Sequence, residues 1–432
     1  MEVIEILILV LSFLTLLAAG VPIAYSIGLS SLLTLLVSMD SLTAFTTIAQ
    51  RMGTGLDSFA LLAIPFFILA GQLMNQGGIA QRLINFAKAL IGWLPGGLAH
   101  VNIIANMMFG AISGSAVAAA SAIGGVMHER MVKEGYDEEV SAAVNISSAT
   151  TGLIIPPSNV LIVYSLASGG ASIGALFVAG YIPGFLVGLT LMGVAAWFAI
   201  KRKYPTDKLS KLSDTFKSFV DALPSLLLLI IVIGGIIAGI FTATEASAVA
   251  VLYAMVLAFV YKEIRWKDMP DILLSSVKTT SIVMILVATS MAMSWVMAFE
   301  NIPQNVSELL LSISDSKIVV LMIINLLLLF VGVFMDMTPA VLIFTPIFLP
   351  VVTKLGLDPV HFGIIMVLNL CIGLCTPPVG SVLFVGSAVS KVSISKVIRP
   401  LLPMFIAMII ALILVTYIPA LSLWLPAVFG MM

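Results

Sequence analysis

The sequence predicts an all-α polytopic membrane protein. It predicts two inverted-topology repeats, each with a re-entrant helical hairpin and a helix broken at a Pro-Pro pair. Three observations lead there. Apolar residues are 61% of the 432 positions and charged residues 9%, against roughly 45–50% and about 25% in a soluble domain. Two Pro-Pro motifs and two small polar turns recur at nearly one sequence offset. Basic residues cluster in loops, and their bias changes sides between the two halves. Such a composition excludes a soluble or disordered chain. A net charge of −1, with no domain-scale basic face, gives no footing for a nucleic-acid partner. Two Cys cannot form a disulfide framework.

A bilayer core of ~30 Å takes about 20 apolar residues per helix. Ile4–Ala19 is the first such run. The preceding Met1-Glu2-Val3 lacks the basic region of a signal peptide, so this helix is expected to be retained. Leu226–Phe241, Ile318–Met335 (with Asn325 inside) and Leu401–Ile418 are further spans. At ~30 residues per span and loop, the chain has room for about a dozen segments. Strand-like alternation is absent, which argues against a β-barrel.

Basic residues orient these spans. Lys201, Arg202, Lys203, Lys208, Lys211 and Lys217 form one loop, and Lys262, Arg265 and Lys267 a second. Lys391, Lys396 and Arg399 form a third, and Arg130 with Lys133 a fourth. The positive-inside rule places all four in the cytoplasm. Two passes fit between Lys133 and Lys201, roughly 140–166 and 174–200, and two between Lys217 and Lys262, roughly 220–240 and 244–261.

The halves, 1–217 and 218–432, resemble each other. Ile154-Ile-Pro-Pro-Ser-Asn-Val-Leu161 matches Cys375-Thr-Pro-Pro-Val-Gly-Ser-Val-Leu383 at an offset of 221 residues (156 to 377). Gly135 falls on Gly356 at the same offset, Gly110–Ser115 on Gly332–Met337 at 222, and Met74 and Ile79 on Met297 and Ile302 at 223. The stretch 128–139 carries two Lys/Arg and 349–360 one, whereas 170–178 carries none and 391–399 three. The reversed bias predicts opposite orientation, a hallmark of secondary transporters with midplane sites.

Four breaks mark those sites. Pro156-Pro157 interrupts the apolar run 142–166, and Pro377-Pro378 the run 362–385. Proline removes an amide donor and clashes with the preceding turn. The carbonyls it frees are tolerated in a membrane only inside protein or along a cavity. Ser113-Gly114-Ser115 and Met335-Asp-Met-Thr-Pro339 are the other two breaks. Of their flanking runs, 103–112, 116–127 and 340–350 are too short to span, which suits re-entrant hairpins, while 318–334 is longer. Each half thus has one hairpin tip followed by one broken helix. Ser113, Ser115, Ser158, Thr338 and Thr376 offer hydroxyls, and Asp336 a carboxylate. Oxygen cages of this kind suit a hard monovalent cation, sodium first and a proton second. The N-termini of the half-helices favour a carboxylate or phosphate.

Plainer roles compete. Membrane Ser and Thr often bond a neighbouring carbonyl. Asp336 could cap the helix at Met337–Ala340, although an intramembrane carboxylate is a functional candidate by default. Thr242-Ala-Thr-Glu245 reads as a capping box. Asp57, Glu300, His100, His128 and His361 are expected near membrane interfaces. Cys371 and Cys375, one turn apart, read as packing residues. No catalytic or P-loop motif is found, so no enzyme is expected. A stand-alone ion or solute channel is the alternative to a transporter. An aspartyl protease would need a second membrane Asp facing Asp336.

With these residues identified, the chain resembles the large membrane subunit of tripartite ATP-independent periplasmic (TRAP) transporters. The resembling stretches are Leu62–Gly71, Ser113–Val117, Ile154–Ser158, Phe241–Ala246, Met335–Pro339 and Cys375–Gly380. The resemblance implies an elevator-type, sodium-driven importer of organic acids in a bacterial inner membrane. It also implies a small four-helix membrane subunit (Q type) and a periplasmic solute-binding protein (P type). Carried onto this chain, it implies one sodium site among Ser113, Ser115, Ile154, Pro156 and Ser158. A second lies among Asp336, Thr338, Thr376, Pro377 and Gly380. The solute falls to Ser113, Gly114, Ser115, Ser158, Asn159, Met337, Thr338 and Gly380. Many relatives carry Asp where this chain has Ala119, which tilts the expected solute from a C4-dicarboxylate towards a sugar acid such as sialic acid.

Overall fold

The computed structural model describes residues 2–206, 212–314 and 316–432; Lys208 and Lys211 of the first basic loop lie outside them. The described residues form twenty α-helices and three 3-10 turns. The first half holds α1 (Glu2–Ala18), α2 (Ile23–Ser38), α3 (Ser41–Leu56), α4 (Ala63–Gln76), α5 (Ile79–Ile91), α6 (Gly97–Ser113), α7 (Ala116–Lys133), α8 (Glu138–Ala149), α9 (Asn159–Ala167) and α10 (Ile173–Arg202). The second holds α11 (Leu212–Ile237), α12 (Ala243–Val260), α13 (Met269–Phe299), α14 (Ile302–Ile313), α15 (Lys317–Phe334), α16 (Met337–Lys354), α17 (Pro359–Leu374), α18 (Ser381–Ser390), α19 (Ile394–Tyr417) and α20 (Ala420–Val428). Eight helices among the described residues are long and apolar enough to cross a bilayer, and five further apolar helices are shorter. The chain is a multi-pass membrane protein. The boundary drawn at 217/218 falls within α11, not between helices.

Sequence-matched positions share local geometry. Gly135 and Gly356 follow the second arm of each hairpin at φ 90° and 74°, a left-handed conformation that only glycine adopts without strain. Between the matched Met and Ile residues lie Gly78 and Asn301, the left-handed N-cap residues of α5 and α14. In the first half, Gly110 of α6 lies against Gly152; in the second, Gly332 of α15 lies against Gly373 of α17. An added Cβ at Gly152 would sit 2.4 Å from the Gly110 Cα, and one at Gly373 2.5 Å from the Gly332 Cα. Two glycines let backbones approach where any side chain would hold them apart.

Both Pro-Pro helices are broken as expected. α8 passes through a 3-10 turn (Thr151–Leu153) into the irregular stretch 154–158 before α9, and α17 ends six residues before α18. Three hairpin arms differ from expectation: α6, α7 and α16 run 17 or 18 residues, as α15 does. Length alone therefore does not make them re-entrant, and α15 and α16 could span. In α6 the apolar run is cut short at Asn102, which is buried and accepts from Asn106 at 2.8 Å. Asn106 donates to Asn145 and Ser148 of α8 at 3.1 and 2.8 Å. The three histidines are buried, with ring nitrogens bonded to Pro95 O, Ser141 Oγ and Thr416 O. Glu300 is buried and accepts from Ser38 at 2.9 Å, while Asp57 is exposed after α3. The Thr242–Glu245 capping box is present.

Candidate functional site

The two tips meet. At the first, α6 ends at Ser113 and Gly114 turns the chain at φ 62°. Ser115 then caps α7, accepting from the Ala118 amide at 3.2 Å. An added Cβ at Gly114 would lie 2.7 Å from Asn159 Nδ2, so the tip rests on the first residue of α9. At the second, Asp336 occupies the N-cap position of α16, yet its side chain accepts no capping hydrogen bond. The Met337 amide, at the first position of α16, is the backbone group that bonds its carboxyl.

Between the tips is a cavity of about 240 Å³. Ser113, Gly114, Ser115, Asn159, Asp336 and Thr338 line it. Gln72 and Asn75 of α4 and Thr279 of α13 close the opposite wall. A second cavity of about 100 Å³ adjoins it and is lined by both tips, including Met337, with Leu374 and Ser381 from either side of the second break. Asp336 lines both, and a third cavity of about 460 Å³ against α2 and α13. Among the described residues, no Lys, Arg or His lines the first two. Four helices, α7, α9, α16 and α18, begin at these tips and breaks, so positive dipole ends converge near one carboxylate.

The structure gathers some expected residues and separates others. Ser113, Gly114, Ser115, Asn159, Asp336, Met337 and Thr338 share these two cavities, whereas Ile154, Pro156, Ser158, Thr376, Pro377 and Gly380 line neither. Local bonds explain part of this. Ser158 is fully buried and donates to Leu153 O at 2.5 Å; Thr376 donates to Ile372 O at 2.7 Å. The Ile154 carbonyl abuts Gly180 of α10, where an added Cβ would lie 2.1 Å from it. Around Gly380, Leu374 O and Thr376 O approach within 2.5 and 2.8 Å of an added Cβ. Cys371 and Cys375 donate to Thr150 O and Ile146 O, both at 3.3 Å, tying α17 to α8. Ala119 is fully buried and lines neither cavity, so it does not touch a solute held there.

Gln72, Asn75, Thr279 and Ser381 were not anticipated. Gln72 and Asn75, three residues apart on an apolar helix, were the available signal. Asn159 Oδ1 and Ser381 Oγ are buried without hydrogen-bond partners; each opens a half-helix and lines a cavity. Such orphaned acceptors are costly unless a ligand, ion or water meets them.

Comparison with known proteins places this arrangement. The profile of a family described as "Tripartite ATP-independent periplasmic transporter, DctM component" matches residues 10–421. The uncharacterized protein YgiK of Salmonella typhimurium is 58% identical over 425 residues, covering 98% of each chain. The C4-dicarboxylate TRAP transporter large permease DctM of Rhodobacter capsulatus is 40% identical, covering 97% of this chain and 98% of its own. The sialic acid TRAP transporter large permease SiaM of Vibrio cholerae is also 40% identical, with the same coverage. Among solved structures, the Alcanivorax borkumensis YdaH transporter superposes with a TM-score of 0.65 at 14% identity, covering 90% of each chain. That likeness speaks for the fold alone.

Proposed function

The chain belongs to the DctM family of TRAP transporter large permeases, and from that premise we propose that it imports an organic acid coupled to sodium. It is a permease component, not an enzyme. The observation that carries the reading is the cavity between the tips. It offers one carboxylate, several hydroxyls and converging helix N-termini, with no cationic side chain. Asp336 cannot neutralise an anionic solute; it repels one unless a cation sits beside it. A sodium ion near Asp336 and Thr338 removes that repulsion and makes the solute's binding depend on the ion. The solute carboxylate would then accept from Ser113 or Ser115 hydroxyls and from amides at the starts of α7 and α16. The break residues would supply a second ion with backbone carbonyls and with the Ser158 and Thr376 hydroxyl oxygens, whose lone pairs stay available while their protons are donated to Leu153 O and Ile372 O.

The same reading takes the two halves as inverted copies and the hairpins as parts of a moving elevator domain. It places the chain in a bacterial inner membrane, with a small membrane subunit and a periplasmic solute-binding protein that delivers the solute. Net inward movement of one charge across 100 mV is worth about 2.3 kcal/mol, enough to exceed the ~1.4 kcal/mol of a tenfold solute gradient. Relatives are named for C4-dicarboxylates and for sialic acid. Both are carboxylates, and a ~240 Å³ cavity suits a small solute. The burial of Ala119 leaves the choice between them to other residues.

The test is uptake by the reconstituted large and small subunits. Accumulation is expected only with an inward sodium gradient and the loaded binding protein. Unchanged uptake in potassium-only medium would reject the coupling. Conductance without saturable uptake would reject transport in favour of a channel.

A further inference from the structure

On the outer surface, α10 and α19 leave a groove of about 430 Å³ between Thr190, Gly193, Trp197, Pro403, Ile406 and Ile410. Gly193 opens it: an added Cβ there would meet nothing within 4 Å. Four residues of each helix line the groove, from 190 to 197 and from 403 to 410, a length of ~10 Å, within one leaflet of a ~30 Å core.

One end of the groove is cationic. Lys201 lies one turn beyond Trp197, its Nζ 4.7 Å from the indole centroid. Arg399 lies one turn before Pro403, with Lys396 a further turn away; both are exposed. Two contacts put these charges at the same end of the molecule. Arg202 pairs with Asp137, just before α8. His128, near the end of α7, bonds Ser141 of α8 and the Ser390 backbone, the residue before Lys391. The 201–203 and 391–399 segments therefore both adjoin the α7–α8 turn, and α10 and α19 run antiparallel along the groove. Arg202 is neutralised by Asp137 and Glu139. Among the described residues, Lys201, Lys396 and Arg399 have no acidic partner.

We propose that this groove binds an anionic glycerophospholipid of the cytoplasmic leaflet, one acyl chain between α10 and α19 and its phosphate against Lys201, Lys396 and Arg399. An apolar trough ending in unpaired cations and an interfacial Trp matches the two ends of such a molecule. A neutral lipid would leave the cations uncompensated. The site braces the framework around the first break, since Gly180 on the same α10 receives the Ile154 carbonyl. It does not depend on sodium coupling or on solute identity.

The test is tryptophan quenching by chain-brominated lipids, with the large and small subunits together in vesicles. Brominated phosphatidylglycerol is compared with brominated phosphatidylcholine, and Trp197→Phe identifies the signal from this groove. The Trp197 signal is expected to favour phosphatidylglycerol about fivefold, the effect of one basic residue near an anionic surface. The triple variant Lys201→Gln, Lys396→Gln, Arg399→Gln is expected to abolish the preference. Gly193→Leu, whose Cβ meets nothing within 4 Å and whose side chain occupies the trough, is expected to reduce quenching by both lipids. Equal quenching by the two lipids in the unmodified protein, or a preference that survives the triple variant, would overturn the proposal.

Discussion

Gly114→Ala tests the contact that joins the first tip to α9. Two effects add. Gly114 has φ +62°, and a left-handed conformation costs an alanine ~1–2 kcal/mol. The new Cβ would also lie 2.7 Å from Asn159 Nδ2 and 3.2 Å from its Cγ. Unstrained contacts need ~3.5–4.0 Å, so the Asn159 amide, held in the cavity wall, must shift by roughly 1 Å, an overpacking cost of up to ~1–3 kcal/mol. Gly135→Ala is the control, with φ +90° and nothing within 4 Å of the added atom; it bears the backbone cost alone. Thermal unfolding of the purified complex is expected to show Gly114→Ala destabilised by ~2–5 kcal/mol, against ~1–2 for the control. The half-saturating solute concentration for uptake is expected to rise about tenfold in Gly114→Ala, ~1.4 kcal/mol of the clash, and to stay unchanged in the control. Adding Asn159→Ala removes the clashing nitrogen and should recover part of the thermal loss. Equal losses in both glycine variants would refute the reasoning.

Further outcomes follow from other contacts. Gly373→Ala should destabilise by ~1–3 kcal/mol, because its Cβ would meet only Gly332 backbone. Gly125→Ala, also helical but unobstructed, should be neutral or stabilising on the same unfolding curve. Asp336→Ala should weaken the sodium dependence of uptake while exposed Asp57→Ala does not; identical sodium titrations would remove Asp336 from the ion site. At the α7–α8 turn, burial pushes the Asp137 carboxyl up, but hydrogen bonds from Tyr204 and Arg202 outweigh it and hold the group below its ordinary value. A depressed carboxyl contributes stability above its unfolded value, ~3.9, and that contribution disappears as pH falls through the folded one. The thermal midpoint should therefore drop more steeply below about pH 4 in the native protein than in Asp137→Asn. Parallel curves would contradict this.

What the sequence showed best were local backbone events. Two adjacent prolines stop a helix wherever they fall, so the breaks at 156 and 377 could be located without tertiary knowledge. Ser-Gly-Ser and Asp-Met-Thr-Pro likewise announce turns, and the shared offset anticipated that both tips matter. Arm length was less legible, because His100 and Asn102 look like span ends until buried partners are known. Oxygen counting could not show that the Ser158 and Thr376 hydroxyls also bond carbonyls of their own segments. Two amides three residues apart on an apolar helix hinted at Gln72 and Asn75, but that they and Thr279 face the tips depends on how α4 and α13 pack. Ala119 shows the converse, a noticeable departure that points into the core.

The central claim is that both tips line one cavity that holds the solute. Single cysteines placed at Ser115 and Thr338, in a background with Cys371 and Cys375 replaced by Ala, can be labelled with a small thiol reagent. Saturating solute with sodium is expected to slow labelling at both positions together, while a cysteine at exposed Lys201 reacts at an unchanged rate. Protection at only one tip, or equal labelling with and without solute at both, would contradict it.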